Sequence, residues 1–246
     1  MKKFLLLILA ATAVNMVNAE EVQNTDQKNS WDREIHGKVE AGYVLVKIDT
    51  MNDSDKVDSA NANGIRFNGT FVDQTGLTLK ASLINATENG PFFSKRDMYR
   101  TASVGVGFYL PVHTKLSFIP TISYGISKIQ VDNTYYIPNT TTVYKRGDVR
   151  SDSDMIGLGT DIILNINECF SVTAQYQYSW SHSSGYFNGD FQGKSSTSGS
   201  NYSISGDYNL NEKYTASLAF ALGKSLCNEK NGFRVSGGML SLARRF

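Results

Sequence analysis

The chain lacks what several protein classes require. Beyond its first residues it has no apolar run near the ~20 residues that a membrane-spanning helix needs, which excludes a helical inner-membrane protein. Its 24 Lys and Arg stand against 23 Asp and Glu without basic clusters, so nothing invites a nucleic acid. Three histidines, His36, His113 and His182, show no metal-ligand spacing, and no metal or cofactor is expected. Two cysteines, Cys169 and Cys227, allow one disulfide at most. Prolines number four, and amphipathic helical periodicity is not evident anywhere.

The beginning of the sequence has one clear feature. Met1-Lys2-Lys3 precedes an apolar stretch from Phe4 to Val14, followed by Val17-Asn18-Ala19. This reads as a secretory signal peptide over 1–19, cleaved after Ala19. A short periplasmic segment over 20–33 and one large domain over 34–246 are expected to follow. That domain is rich in Gly, Tyr, Phe, Ser, Thr and Asn, a composition of strands and polar loops.

Two stretches repeat one phrase: "NINECFSV" (Asn165–Val172) and "NLNEKYTA" (Asn209–Ala216). "VDQTGLTL" (Val72–Leu79) and "PVHTKLSF" (Pro111–Phe118) share its grammar, a polar turn followed by apolar, Ser/Thr, apolar. These mark four tight hairpin turns. Longer polar segments alternate with them, at Asp49–Asn63, Thr87–Met98, Val131–Ser153, Ser181–Gly199 and Lys224–Gly232. Ten strands fit between, over 34–48, 64–72, 77–86, 99–110, 115–130, 154–164, 169–180, 200–209, 213–223 and 233–246. Most approach the ~9–11 residues that a tilted strand needs to cross a bilayer. Their alternation is one-sided: Phe170, Val172, Ala174, Tyr176, Tyr178 and Trp180 share one face, and Ser171, Thr173, Gln175, Gln177 and Ser179 the other.

A soluble sandwich would alternate too, but short and long connections alternate in outer-membrane barrels. Aromatics also gather at both strand ends, Phe108, Phe170, Tyr208 and Tyr214 at the turn rim and Tyr43, Tyr124, Tyr178 and Trp180 toward the loop rim, as interfacial girdles do. The expected fold is therefore all-β: a transmembrane antiparallel up-and-down β-barrel of ten strands, with short periplasmic turns and five longer surface loops. The end of the chain, "GGMLSLARRF", resembles the terminal strand of bacterial outer-membrane β-barrel proteins, with Phe246, Leu242 and Leu240 in the signature positions and Arg244 departing from it. That resemblance implies a place in the Gram-negative outer membrane, contact with its lipid and lipopolysaccharide, and recognition by the barrel-assembly machinery. In layout the chain is similar to the opacity-type adhesins and the omptin proteases, without a specific motif of either.

The inward face should carry Lys38, Glu40, Arg66, Lys80, Asp161, Asp207 and Arg245, nearly balanced in charge, and these should pair within a nearly closed lumen. Catalysis has weak support. No Asp-x-His occurs, and His182-Ser183-Ser184 resembles the His-x-Ser of an outer-membrane lipid A deacylase with only Asp190 nearby to orient the base. Asp53, Asp55 and Asp58 read as a solvated acidic loop rather than a Ca²⁺ site. Cys169 and Cys227 fall at opposite rims, too far apart to bond across a ~25 Å band. The surface loops hold Phe92, Phe93, Lys95 and Arg96, then Tyr135, Tyr136 and Tyr144, then Tyr186 and Phe187. Aromatics beside cations are common in contact surfaces. The expected function is thus adhesion or another interaction with host or neighbouring-cell surfaces. A narrow porin-like channel for small solutes is the alternative, and a hydrolase of lipid A or peptides the second.

Overall fold

A computed structural model describes residues 36–52, 55–88, 97–137, 143–226 and 231–246. Alternating apolar and polar residues make strands β1 (His36–Asn52), β2 (Asp55–Val72), β3 (Leu77–Thr87), β4 (Met98–Phe108), β5 (Leu110–His113), β6 (Leu116–Tyr136), β7 (Lys145–Asn165), β8 (Phe170–Phe187), β9 (Asp190–Asn209), β10 (Tyr214–Leu226) and β11 (Asn231–Arg245). β4 and β5 are one strand broken at Tyr109, so ten strands form the wall. Each pairs antiparallel with its sequence neighbour, β1 also pairs with β11, and the sheet is a closed barrel. Closure runs from Lys38 opposite Arg245 to Asn52 opposite Asn231. With no free edge across the span, backbone groups are paired within the sheet, which a bilayer demands.

The repeated phrase makes the repeated turn. Asn167 accepts hydrogen bonds at Oδ1 from the N–H groups of Cys169 (2.9 Å) and Phe170 (2.8 Å). Asn211 accepts the equivalent pair from Lys213 and Tyr214, both at 2.9 Å. In the first turn Asp73 does the same for Thr75 and Leu77, both at 2.8 Å. A short side chain that mimics a backbone acceptor closes each hairpin locally. The Asp73 carboxyl is held below its ordinary range, first by the Thr75 hydroxyl and then by the backbone N–H groups of the turn.

Outward residues such as Leu45, Phe67, Ile122, Leu158, Ile204 and Leu218 are exposed on the wall and form the apolar belt. Such a belt of large side chains, lost to water unless lipid covers it, identifies a bacterial outer-membrane type of β-barrel. At the end of the chain Leu240, Leu242 and Phe246 face outward within it, and the Arg244 guanidinium lies 5.0 Å over the Phe246 ring.

Strand pairing extends farther on the loop side than the sequence suggested. β6 and β7 reach Tyr136 and Lys145, inside the segment expected as loop 131–153. β8 and β9 stay paired through 181–199 and meet at Asn188-Gly189, whose positive φ values of 50° and 89° suit a tight hairpin turn. From Trp180 to Phe187 the sheet runs on for seven residues, or about 24 Å of strand at ~3.4 Å per residue. The barrel thus projects beyond its apolar belt as paired sheet.

Candidate functional site

The lumen divides into two halves of opposite character. Near the turn rim, Lys38 Nζ lies 2.8 Å from Asp207 Oδ2, joining β1 to β9 across the interior. Lys80 on β3 pairs in the same way with Asp161 on β7. Glu40 accepts hydrogen bonds from Ser241 Oγ and, at 3.3 Å, from Asn68 Nδ2. Arg66 Nε donates to Asn68 Oδ1 at 2.9 Å, and Arg245 Nη2 donates to the carbonyl of Asn211 at 2.7 Å. Six of the seven charges named from the sequence thus gather inside the barrel, four of them as ion pairs, while Arg245 reaches the last turn. These six charges line a cavity of about 560 Å³ together with groups that include Gln175, Gln177 and Ser123.

The outer half holds an apolar cluster flanked by buried Thr, Ser and Asn, which the sequence reading did not foresee. Val44, Val46 and Ile48 of β1 pack in one buried cluster with Ile129, Val131 and Tyr136 of β6, Val149 of β7 and Phe233 of β11. Opposite walls touch there. Thr134 Oγ1 donates to Thr50 Oγ1 at 3.2 Å, and Asn231 Nδ2 donates to the carbonyl of Ile137 at 2.9 Å. Among the described residues the surface end of the lumen is filled by side chains.

Tyr136 and Phe187, expected as exposed loop groups, face this interior. Tyr136 is 1% exposed, and its ring stacks on Phe187 at 5.3 Å. Tyr135 and Tyr186 stand on the outer wall, whereas Tyr144, just before β7, reaches the distant strand β1. Tyr135 carries the Arg146 guanidinium 5.5 Å over its ring, and Tyr144 Oη accepts a hydrogen bond from Asn52 Nδ2 at 2.6 Å. Tyr186 lies under Arg150 at 4.8 Å and meets Phe191 edge-on at 5.8 Å. Arg150 is itself anchored by a two-pronged bond to Asp152. Phe191, Arg146 and Arg150 complete the groups that the sequence reading named only in part. Phe92, Phe93, Lys95, Arg96, Asp53 and Cys227 lie outside the described residues. Cys169 is an exposed free thiol at the third turn.

His182 and Ser184 face outward on β8, just above Trp180. Asp190 is not their neighbour, since it pairs with Phe187 at the hairpin tip. The residue opposite His182 is Asp154 of β7, whose carboxylate accepts a hydrogen bond from Tyr124 Oη at 3.2 Å. His182 makes no ion pair with it, so this face holds the ingredients of a triad without its hydrogen bonds.

No protein-family model matches the chain, and no curated protein matches it by sequence. Solved structures similar to it are outer-membrane barrels. The outer-membrane protease OmpT from Escherichia coli is 9% identical, with 93% of this chain and 99% of that one covered and a TM-score of 0.49. The translocator domain of the autotransporter NalP from Neisseria meningitidis is 11% identical, with 98% and 96% covered and a TM-score of 0.45. Ail, the attachment invasion locus protein of Yersinia pestis, is 10% identical, with 87% and 100% covered and a TM-score of 0.41.

Proposed function

We propose that this outer-membrane β-barrel is a surface-recognition protein whose contact surface is the outer wall of the projecting β6–β9 sheet. One observation carries the reading: the surface end of the lumen is filled by a buried apolar cluster, while Tyr135, Arg146, Arg150, Tyr186 and Phe191 occupy the outside of the same projection. A sealed interior offers no route to a solute, and rigid aromatics held beside guanidinium groups suit contact with protein or glycan. Because these residues sit on paired strands, little conformational entropy is lost when a partner binds. Adhesion to host or neighbouring-cell surfaces is the expected outcome.

The cavity at mid-lumen supports a second reading, a narrow channel whose outer plug moves aside. Two measurements separate the readings. Refolded barrel in planar bilayers should show no steady conductance, and cells displaying Tyr135→Ser, Arg146→Ser, Tyr186→Ser and Phe191→Ser together should lose adhesion while the protein still migrates as a heat-modifiable barrel. Stable open-channel current would move the assignment to the channel. Unchanged adhesion by the inserted variant would refute recognition by this wall.

A further inference from the structure

Four polar side chains form a block on the inner faces of β8 and β9. Gln175 is the cross-strand partner of Ser203, and Gln177, in the next inward row, is the partner of Asn201. Each amide is held at one end by a hydroxyl. Gln175 Oε1 accepts from Ser203 Oγ at 2.6 Å, Gln177 Nε2 donates to Ser123 Oγ at 2.6 Å, and Asn201 Nδ2 donates to Ser179 Oγ at 3.3 Å. Glycines let two of these amides lie flat on the wall: a Cβ at Gly157 would strike Gln177 Nε2, and one at Gly223 would strike Asn201 Oδ1. The other ends, Gln175 Nε2, Gln177 Oε1 and Asn201 Oδ1, make no hydrogen bond among the described residues, and all three side chains line the cavity of about 560 Å³.

The charges in the same lining give an ion no net attraction. Lys38 and Lys80 are paired with Asp207 and Asp161, and Asn68 bridges Glu40 and Arg66, so three cations balance three anions. What stands open is an amide donor and two amide acceptors on one patch of wall, and a hydroxyl answers both, since it donates and accepts. β1, β10 and β11 add Val44, Val46, Ala219 and Met239 to the lining. Such a mixture matches a sugar ring, which carries C–H groups on its faces and hydroxyls around its edge. Pockets of this volume, apolar in part with a few fixed polar groups, hold small molecules.

Entry is from the side. β9 stays paired with β8 out to Asp190, but its pairing with β10 ends at Tyr202 opposite Leu222. Past Tyr202 the outward residues of β9 are Ser200, Ser198 and Ser196, so the two strands part at the outer edge of the apolar belt, toward water. Asn201, Ala221 and Gly223, where they part, all line the cavity. We infer that the cavity is a blind binding pocket for a neutral sugar, which enters between β9 and β10 and is held by Gln175, Gln177 and Asn201. The apolar plug closes the barrel axis beyond it, so binding involves no passage across the membrane. The site lies inside the wall and is independent of recognition by the outer face of the projecting sheet.

The test is equilibrium dialysis of the full barrel, refolded in an amine-oxide detergent that carries no sugar, against tritiated glucose, galactose and mannose. At least one of the three should saturate at one molecule per barrel. The amino-sugar and uronic-acid forms of that sugar should compete for the site about tenfold more weakly or worse, because the balanced lining offers their charge no partner. Gln175→Leu with Gln177→Leu should weaken binding by about tenfold or more, as the loss of two hydrogen bonds predicts, while Tyr135→Ser with Tyr186→Ser on the outer wall leaves it unchanged. Absence of saturable binding by wild type, equal binding of a charged form, or full binding by the double Leu variant would overturn the pocket. Loss of binding in the outer-wall variant would move the sugar to that wall and overturn the pocket as well. A steady bilayer current that the sugar blocks would overturn its blindness. If the double Leu variant does not fold, Gln175→Leu alone decides by the same criteria.

Discussion

Phe233 offers the sharpest test of the apolar plug. Its side chain is 0% exposed and packs in the cluster that fills the outer half of the lumen. Were the outer barrel a set of loose polar loops, truncating Phe233 would change stability by no more than about 0.5 kcal/mol, as for surface sites. In a packed core, Phe→Ala loses the transfer free energy of the ring and leaves a cavity, together about 3–5 kcal/mol. Walls joined by the 3.2 Å Thr134–Thr50 bond cannot close over that space, so the upper part of the range is expected. At ~1.4 kcal/mol per decade, 3 kcal/mol is already more than a hundredfold in the unfolding equilibrium constant. The assay is urea unfolding of the protein folded into lipid vesicles, comparing Phe233→Ala with Phe220→Ala. Phe220 is 56% exposed on the lipid face, where acyl chains fill the space that its ring leaves, so its truncation carries no cavity cost. A Phe233→Ala cost below about 1 kcal/mol, or one no larger than that of Phe220→Ala, would refute a packed plug.

Two further outcomes follow from the same interior and its turns. Lys80→Met should cost about 3 kcal/mol in vesicle unfolding, because it strands the mostly buried Asp161 carboxylate, and adding Asp161→Leu should restore most of that loss; additive losses in the double-mutant cycle would show that the two charges do not interact. At the first turn, the depressed Asp73 carboxyl stabilises the fold fully above its unfolded pKa and loses that contribution as pH falls through its lower folded value. Wild type should therefore unfold at higher urea than Asp73→Ala near neutral pH, and the two should converge only below the ordinary carboxylate range; a gap that widens on acidification would contradict the turn geometry.

The parts of this fold that were legible in the sequence are those set by local chemistry. Strand alternation, the Asn and Asp acceptors of the tight turns and the outward placement of Leu240, Leu242 and Phe246 each depend on residues within one hairpin or one strand. The inward placement of six of the seven charges was legible from strand alternation. Which cation meets which anion was not, because Lys38 and Asp207 are 169 positions apart and meet only when the barrel closes. Propensity hid the strand extensions: Ser, Gly, Asn and Asp dominate 181–199, and such residues read as loop. The Asn188-Gly189 pair was the available signal, for it fits a two-residue hairpin turn between paired strands.

Tyr135 and Tyr136 show where extrapolation from sequence fails for a physical reason. Along β6 the even positions from Ile122 to Lys128 face lipid, and a strict period of two would send Tyr136 outward and Tyr135 inward. The pairing of β6 with β7 shifts between Val131 and Thr134, where Asn133 takes a φ of 54°. An inserted residue of this kind exchanges the two faces for everything that follows it. Thr134 and Tyr136 are thereby turned into the lumen, where Thr134 reaches Thr50 and Tyr136 stacks on Phe187, while Tyr135 is turned out to Arg146. One bulge thus both seals the barrel and presents an aromatic–cation pair on its outer wall. Two adjacent, identical side chains acquire opposite roles, and only the backbone register distinguishes them.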